Sequence, residues 1–96
     1  MFSLKTETIY NRELLIFPNP ASVNTPQWIL EGWREEDFGS KLNLVLYDTR
    51  GRKLLQQEPI VEQQVRLRIE GGLPPGVYLL QAVGQQGTYT GKLIVQ

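Results

Sequence analysis

The side chains that most often carry out catalysis are scarce in this sequence of 96 residues. It contains neither histidine nor cysteine, which excludes imidazole bases, thiolate nucleophiles, disulfides and the Ser-His and Cys-His pairs of many hydrolases. The adjacent carboxylates of Glu35, Glu36 and Asp37 have the chemistry of calcium ligands. A calcium loop, however, places its oxygen ligands at alternate positions and includes a glycine within the loop. We therefore interpret this triplet as a solvated acidic turn at the surface.

Two further groups of side chains suggest ligand binding. Arg50, Arg52 and Lys53 form a basic cluster suited to phosphate or anionic glycans, although such a cluster is more typical of a charged strand edge that opposes aggregation. The aromatic side chains could stack on sugars, but aromatic residues of a small β domain usually form its core. They are Trp28, Trp33, Tyr47, Tyr78 and Tyr89. A carbohydrate-binding or adhesive module is therefore the alternative function, and a hydrolase is disfavoured.

Charge and hydropathy exclude other classes of protein. Ten basic and ten acidic residues give a formal net charge of zero, whereas nucleic-acid binding leaves a basic excess, so we expect no nucleic-acid partner. The longest apolar runs are far shorter than the roughly 20 residues of a transmembrane helix, so we expect no membrane span. No phosphate-binding or dinucleotide motif occurs, and nothing in the sequence calls for a cofactor or a metal ion.

The periodicity of apolar residues predicts strands throughout. Val65, Leu67 and Ile69 alternate with charged residues, as they do on a strand with one buried face. Similar patterns occur over residues 42–47, 76–83 and 88–95. About seven short strands separated by Gly/Pro turns predict an all-β fold, an antiparallel β-sandwich or small barrel.

Turn residues fall between these strands. Asp48 and Gly51 occupy the first and fourth positions preferred in a type I turn, with Gly51 free to adopt a positive φ, and predict a hairpin between residues 42–47 and 52–57. Gly84 and Gly87 predict a second hairpin before the last strand. Residues 25–33 are ambiguous, because Thr25 and Pro26 resemble a helix start while Gly32 interrupts a helix early. We predict a strand there.

Three ordered blocks of sequence resemble one known family. The first is Leu-Ile-Phe-Pro-Asn-Pro-Ala-Ser at residues 15–22, and the second is Val-Leu-Tyr-Asp-Thr-Arg-Gly-Arg-Lys-Leu at residues 45–54. The third is Gly-Leu-Pro-Pro-Gly-Val-Tyr-Leu-Leu at residues 72–80, continued by Gly-Lys-Leu-Ile-Val-Gln at residues 91–96. Together and in this order they resemble the type A C-terminal sorting domain of proteins exported by the bacterial type IX secretion system.

This resemblance implies both a fold and a function. It implies an immunoglobulin-like sandwich and a non-enzymatic signal that directs a cargo protein across the outer membrane. The implied partners are an outer-membrane shuttle barrel that recognises the domain, a sortase-like peptidase that removes it, and an N-terminal cargo domain. The implied location is the periplasm in transit and then the cell surface or the medium. Residues 1–13 would be a linker or the remnant of the junction with the cargo, and residues 14–96 the sorting domain. The pattern of residues 1–12 alone, polar and irregular, fits either a linker or an extra edge strand.

The same resemblance suggests which residues matter. Pro18 and Pro20 stiffen a turn that presents Asn19, and Tyr78 suits a tyrosine corner with its hydroxyl bonded to nearby backbone. Residues 92–96 match the segment that the family uses for recognition, and their alternation fits addition of a strand at an edge, including a dimer formed through the last strand. The expected motif and recognition residues are Pro18, Asn19, Pro20, Gly51, Gly76, Tyr78, Lys92, Leu93, Ile94 and Val95.

Overall fold

The computed structural model describes residues 10–84 and 87–96, and within them the chain is built almost entirely of strands. One short 3-10 helix, Glu35–Asp37, interrupts eight strands. The strands are β1 (Tyr10–Glu13), β2 (Leu15–Phe17), β3 (Gln27–Glu31), β4 (Asn43–Tyr47), β5 (Lys53–Gln57), β6 (Val65–Arg68), β7 (Gly76–Val83) and β8 (Gly87–Val95).

The strands form two sheets that pack as a sandwich. The larger sheet has the order β1-β8-β7-β4-β5, and the smaller has the order β2-β3-β6. All strand pairs are antiparallel except β1 and β8, which run parallel. The predicted all-β, immunoglobulin-like sandwich is therefore confirmed, with one strand more than the sequence indicated and one parallel pair.

Alternation along each strand builds the core between the sheets. In β6, Val65 and Leu67 are buried while Arg66 and Arg68 are exposed, as the sequence pattern predicts. Side chains from both sheets are fully buried where they meet, and burial of such side chains is worth roughly 1.5–3 kcal/mol each. The largest are Trp28, Leu30, Leu44, Leu46, Leu67, Leu80 and Leu93.

The hairpin between β4 and β5 has the predicted turn. The amide of Gly51 donates to the carbonyl of Asp48 at 3.0 Å, and Gly51 has a φ of 83°, a left-handed conformation that glycine adopts without strain. The register shifts between Leu46 and Tyr47, which marks a bulge. Hydrogen bonds from the backbone and side chain of Arg52 and from the backbone of Arg50 hold the pKa of the Asp48 carboxyl below its usual range.

The ambiguous segment after the first proline-rich turn is a strand. Gln27–Glu31 forms β3 at the centre of the smaller sheet, with Trp28 and Leu30 directed into the core, so the prediction is confirmed. The predicted hairpin between the last two strands is supported by the amide of Gly84, which donates to the carbonyl of Gly87 at 2.9 Å. Its two central residues lie outside the described residues.

The N-terminal segment crosses from one sheet to the other. Tyr10–Glu13 pairs with β8 at the edge of the larger sheet, and Leu15–Phe17 pairs with β3 at the edge of the smaller one. The N-terminal region was expected to be either a linker or an extra edge strand. Tyr10–Glu13 is an edge strand, and residues 1–9 lie outside the described residues. In the part of the chain that is described, no helix is long and apolar enough to cross a membrane.

Candidate functional site

Most of the residues singled out in the sequence meet at one end of β8. Gly76 and Tyr78 at the start of β7 pair with Val95 and Leu93 of β8. On the other side of β8, the turn containing Asn19 lies against residues 92–96. Gly51 is not part of this group, because it lies in the turn that leads to β5 at the opposite edge of the sheet.

The side chain of Asn19 takes the place of a strand residue beside β8. Its Nδ2 donates to the carbonyl oxygen of Lys92 at 2.8 Å, and its Oδ1 accepts from the amide of Ile94 at 3.0 Å. A carboxamide offers a donor and an acceptor side by side, as a peptide group does. Asn19 therefore pairs with the main chain of β8 whatever the side chains of Lys92 and Ile94 are.

Ala21 continues this pairing toward the C-terminus. Its amide donates to the carbonyl of Ile94 at 2.8 Å, and its carbonyl accepts from the amide of Gln96 at 2.8 Å. Ala21 and Val95 form a parallel bridge. Pro18 and Pro20 have no amide hydrogen to offer, and both of their preceding peptide bonds are cis. Residues 19–21, here called the 19–21 segment, thus cover the last part of β8 with four hydrogen bonds.

The expectation that the last strand is an edge strand is wrong. Residues 87–90 pair with β1, the amide of Leu14 donates to the carbonyl of Thr90 at 2.8 Å, and the 19–21 segment covers the rest. The other side of β8 pairs with β7 over its whole length. A strand from a second molecule would have to displace the 19–21 segment or β1 before it could pair with β8.

A surface groove lies beside the covered edge. It has a volume of about 490 Å³ and lies between β2 and the last part of β8. Leu15 and Phe17 on its wall are 56% and 47% exposed, so they give this side of the groove an apolar surface. The groove is lined by Glu13, Leu14, Leu15, Ile16, Phe17, Asn19, Lys92 and Ile94.

The comparison with protein families decides which kind of domain this is. Residues 15–96 match the family model described as the secretion system C-terminal sorting domain. The chain belongs to this family. Searches of curated proteins and of solved structures found no match. The suspected type IX sorting domain is thereby confirmed, and secretion across the outer membrane to the cell surface or the medium follows from it.

Alternate side chains of the sorting domain's last strand serve different purposes. Leu93 and Val95 are buried in the core, whereas Lys92 is exposed and Ile94 is half-buried. Of residues 92–96, which were expected to be recognised, Lys92, Ile94 and the terminal Gln96 have accessible side chains. The role of Leu93 and Val95 here is to hold the strand to the core.

Tyr78 makes the hydrogen bond expected of a tyrosine corner. Its hydroxyl donates to the carbonyl oxygen of Pro74 at 2.6 Å, and its ring is 7% exposed. The bond joins the connector before β7 to the strand that pairs with residues 93–95. Tyr78 therefore supports the C-terminal site from the β7 side.

A buried polar cluster near the other end of β8 was not expected from the sequence. The hydroxyl of Tyr89 donates to a carboxylate oxygen of Asp37 and accepts from the backbone amide of Arg34 at 3.2 Å. Burial, and then the hydrogen bond to Asp37, raise the pKa of Tyr89 above its ordinary value. The interpretation of the acidic triplet as a wholly solvated turn is wrong for Asp37, which is buried, and holds for Glu35 and Glu36.

The aromatic residues do not form a platform for sugars. Trp28, Trp33, Tyr78 and Tyr89 are all buried, and the rings of Trp33 and Tyr89 lie 4.8 Å apart in the core. Tyr47 alone among the five is partly accessible. A stacking surface needs exposed ring faces, so these side chains act as packing residues. The alternative of carbohydrate binding has no support from them.

Proposed function

We propose that this sorting domain delivers an N-terminal cargo by presenting Lys92, Ile94 and the turn at Asn19 to the outer-membrane shuttle barrel of the type IX machinery. The observation that carries the proposal is the hydrogen bonding of Asn19 to Lys92 and Ile94. It brings two motifs that are 73 and 75 positions apart in sequence into one surface. The exposed side chains of Leu15 and Phe17 extend this surface.

The later steps belong to the same proposal. The cargo passes through the periplasm, the shuttle barrel binds the domain, and the sortase-like peptidase then cleaves within residues 1–13 and anchors the cargo at the cell surface. This region agrees with the family match, which begins at residue 15. The domain itself acts as a signal without catalysis. The peptidase supplies the nucleophile of the cleavage.

Export of a reporter tests the proposal. A periplasm-directed fluorescent protein is fused to residues 1–96 and expressed in a host that has the type IX apparatus. We expect delivery to the surface or medium, and retention in the periplasm when residues 92–96 are deleted. Because that deletion also removes the buried Leu93 and Val95, a milder variant, Lys92→Glu with Ile94→Thr, changes only the accessible side chains.

The larger sheet offers a matched control at its opposite edge. Lys53 and Leu54 of β5 are exposed, and the variant Lys53→Glu with Leu54→Thr makes the same chemical change away from β8. We expect this control to be exported normally while the variant at Lys92 and Ile94 is retained at least tenfold more. Equal export of the two variants would refute the proposed recognition surface. Periplasmic retention of the unaltered fusion would refute the sorting function.

A further inference from the structure

The edge of β8 over residues 92–96, here called the C-terminal edge, is occupied by the chain itself. The 19–21 segment accepts and donates the same hydrogen bonds that a neighbouring strand would make, and it runs parallel to β8. The side chain of Asn19 makes two of its four hydrogen bonds, and the main chain of Ala21 makes the other two. The segment therefore occupies the position of a strand without being one.

The hold of this segment is weak compared with that of a strand. Asn19 and its two proline neighbours are exposed, and Ala21 is the only buried member. Hydrogen bonds that water can replace contribute only about 0.5–1.5 kcal/mol each. A strand that adds to a sheet edge makes a row of such main-chain bonds, and its alternate side chains enter pockets beside the edge. A longer strand could thus replace the 19–21 segment at the C-terminal edge.

The groove beside the C-terminal edge supplies those pockets. Leu15 and Phe17 extend from β2 on one side of it, and Ile94 and Lys92 lie on the other. Within the described residues β2 has a strand partner, β3, on one side only. A chain entering the groove would meet apolar side chains at alternate positions. The lining carries one carboxylate, Glu13, and one ammonium group, Lys92, so its balanced charge favours a neutral apolar segment.

We propose that the C-terminal edge is a strand-acceptor site that the 19–21 segment keeps closed, and that its ligand is an extended segment of another protein. This ligand runs parallel to β8, carries apolar side chains at alternate positions, and displaces Asn19 and Ala21 from Lys92, Ile94 and Gln96. Asn19 is then a positioning residue that sets how readily the edge opens. The identity of the protein that donates the strand rests on the function proposed above, whereas the closed edge itself does not.

A peptide that mimics the 19–21 segment tests the exchange directly. The probe is a fluorescein-labelled peptide of residues 17–23, Phe-Pro-Asn-Pro-Ala-Ser-Val, and the protein is the full 96-residue chain. We expect Asn19→Ala to bind the peptide about two- to tenfold more tightly than the unaltered chain, measured by fluorescence anisotropy, because its own segment competes less well. Asn43→Ala is the control, since the side-chain oxygen of Asn43 accepts a hydrogen bond from Gln56, far from the C-terminal edge.

Hydrogen exchange of the unaltered chain provides a measurement that does not depend on any variant. The amide of Ile94 faces the 19–21 segment, and alternation along the strand turns the amide of Leu93 toward β7. We expect the Ile94 amide to exchange at least tenfold faster than the Leu93 amide through local opening. Equal protection of the two amides would overturn the proposal, as would a folded Asn19→Ala variant that binds the peptide no better than the control.

Failure of this inference is distinguishable from failure of the proposed function. If the reporter fusion is exported while the peptide binds no variant, the domain is a sorting signal whose C-terminal edge does not open, and the strand-acceptor proposal is wrong. If the peptide binds Asn19→Ala and Ile94 exchanges quickly while no fusion is exported, the edge opens as proposed and the sorting function is wrong.

Discussion

The two halves of β8 are covered in different ways on the side that faces away from β7. Residues 87–90 lie beside β1, which pairs with them through its main chain in a regular parallel register. The C-terminal edge is covered by one amide side chain and by Ala21. Main-chain pairing needs only an extended conformation, so many sequences could serve in β1. The second half depends in addition on the side chain of Asn19, which makes two of the four hydrogen bonds there.

The largest expected effect tests whether burial in the core holds the second half of β8. Leu93 is fully buried beneath the C-terminal edge, and Leu93→Ala should destabilise the fold by about 2–5 kcal/mol because it leaves a cavity. The measurement is the midpoint of urea unfolding. Leu79→Ala is the matched control, since Leu79 is 49% exposed on β7 and should cost well under half as much. Similar losses would mean that the core does not hold the second half of β8.

The next effect concerns the half of β8 that lies beside β1. Tyr89→Phe removes the donor to Asp37 and the acceptor of the Arg34 amide, and leaving such groups buried costs about 1–3 kcal/mol. Tyr78→Phe removes one bond, to the carbonyl of the exposed Pro74, and should cost less because water can replace it. Thermal unfolding of both variants tests this order, and a larger loss for Tyr78→Phe would contradict it.

The buried hydroxyl of Tyr89 makes the stability of the fold depend on pH in the alkaline range. Burial and the bond to Asp37 raise the pKa of Tyr89 in the folded chain above its ordinary value of 10.0. Folding therefore favours the neutral phenol, so this contribution is complete below pH 10.0 and is lost as the pH rises through the folded pKa. Urea unfolding between pH 8 and pH 11 should show a steeper decline for the unaltered chain than for Tyr89→Phe. Parallel declines would exclude this role for Tyr89.

The smallest effects compare the two coverings of β8 directly. Asn19→Ala removes two exposed hydrogen bonds and should cost about 0.5–1.5 kcal/mol in total, because water rehydrates Lys92 and Ile94. Asn11→Ala in β1 should change stability by less than about 0.5 kcal/mol, since the pairing there uses the main chain. Chemical denaturation measures both. If Asn11→Ala were the more destabilising, the proposed difference between the two halves would be wrong.

Local patterns in the sequence predicted local structure well. Alternation identified β6, the Asp48–Gly51 turn identified the hairpin of β4 and β5, and the bond of Tyr78 to a carbonyl four residues earlier was expected. Each of these rests on residues that are close in sequence. Periodicity and turn preference carry that information because they act within a few positions.

Pairings between distant segments were not predictable in the same way. The sequence pattern of residues 10–13 does not show that they pair in parallel with residues 87–90, and this pairing is what turns β8 from an edge strand into an interior one. The burial of Asp37 likewise depends on Tyr89, which is 52 positions away. Family resemblance indicated that Asn19 and residues 92–96 matter, but only the fold shows that they bind each other.

The parallel pairing of β1 and β8 has a mechanical consequence. Residue 10 lies opposite residue 87, and β8 runs on from there to the far end of the sheet. A pull between residue 10 and residue 96 therefore acts along both strands in opposite directions and loads their hydrogen bonds in shear, all at once. Optical-tweezers experiments with handles at these positions should record a higher unfolding force than handles at residues 43 and 57, which open one antiparallel hairpin bond by bond. Tension applied at residues 10 and 96 would therefore be shared by all the hydrogen bonds between β1 and β8.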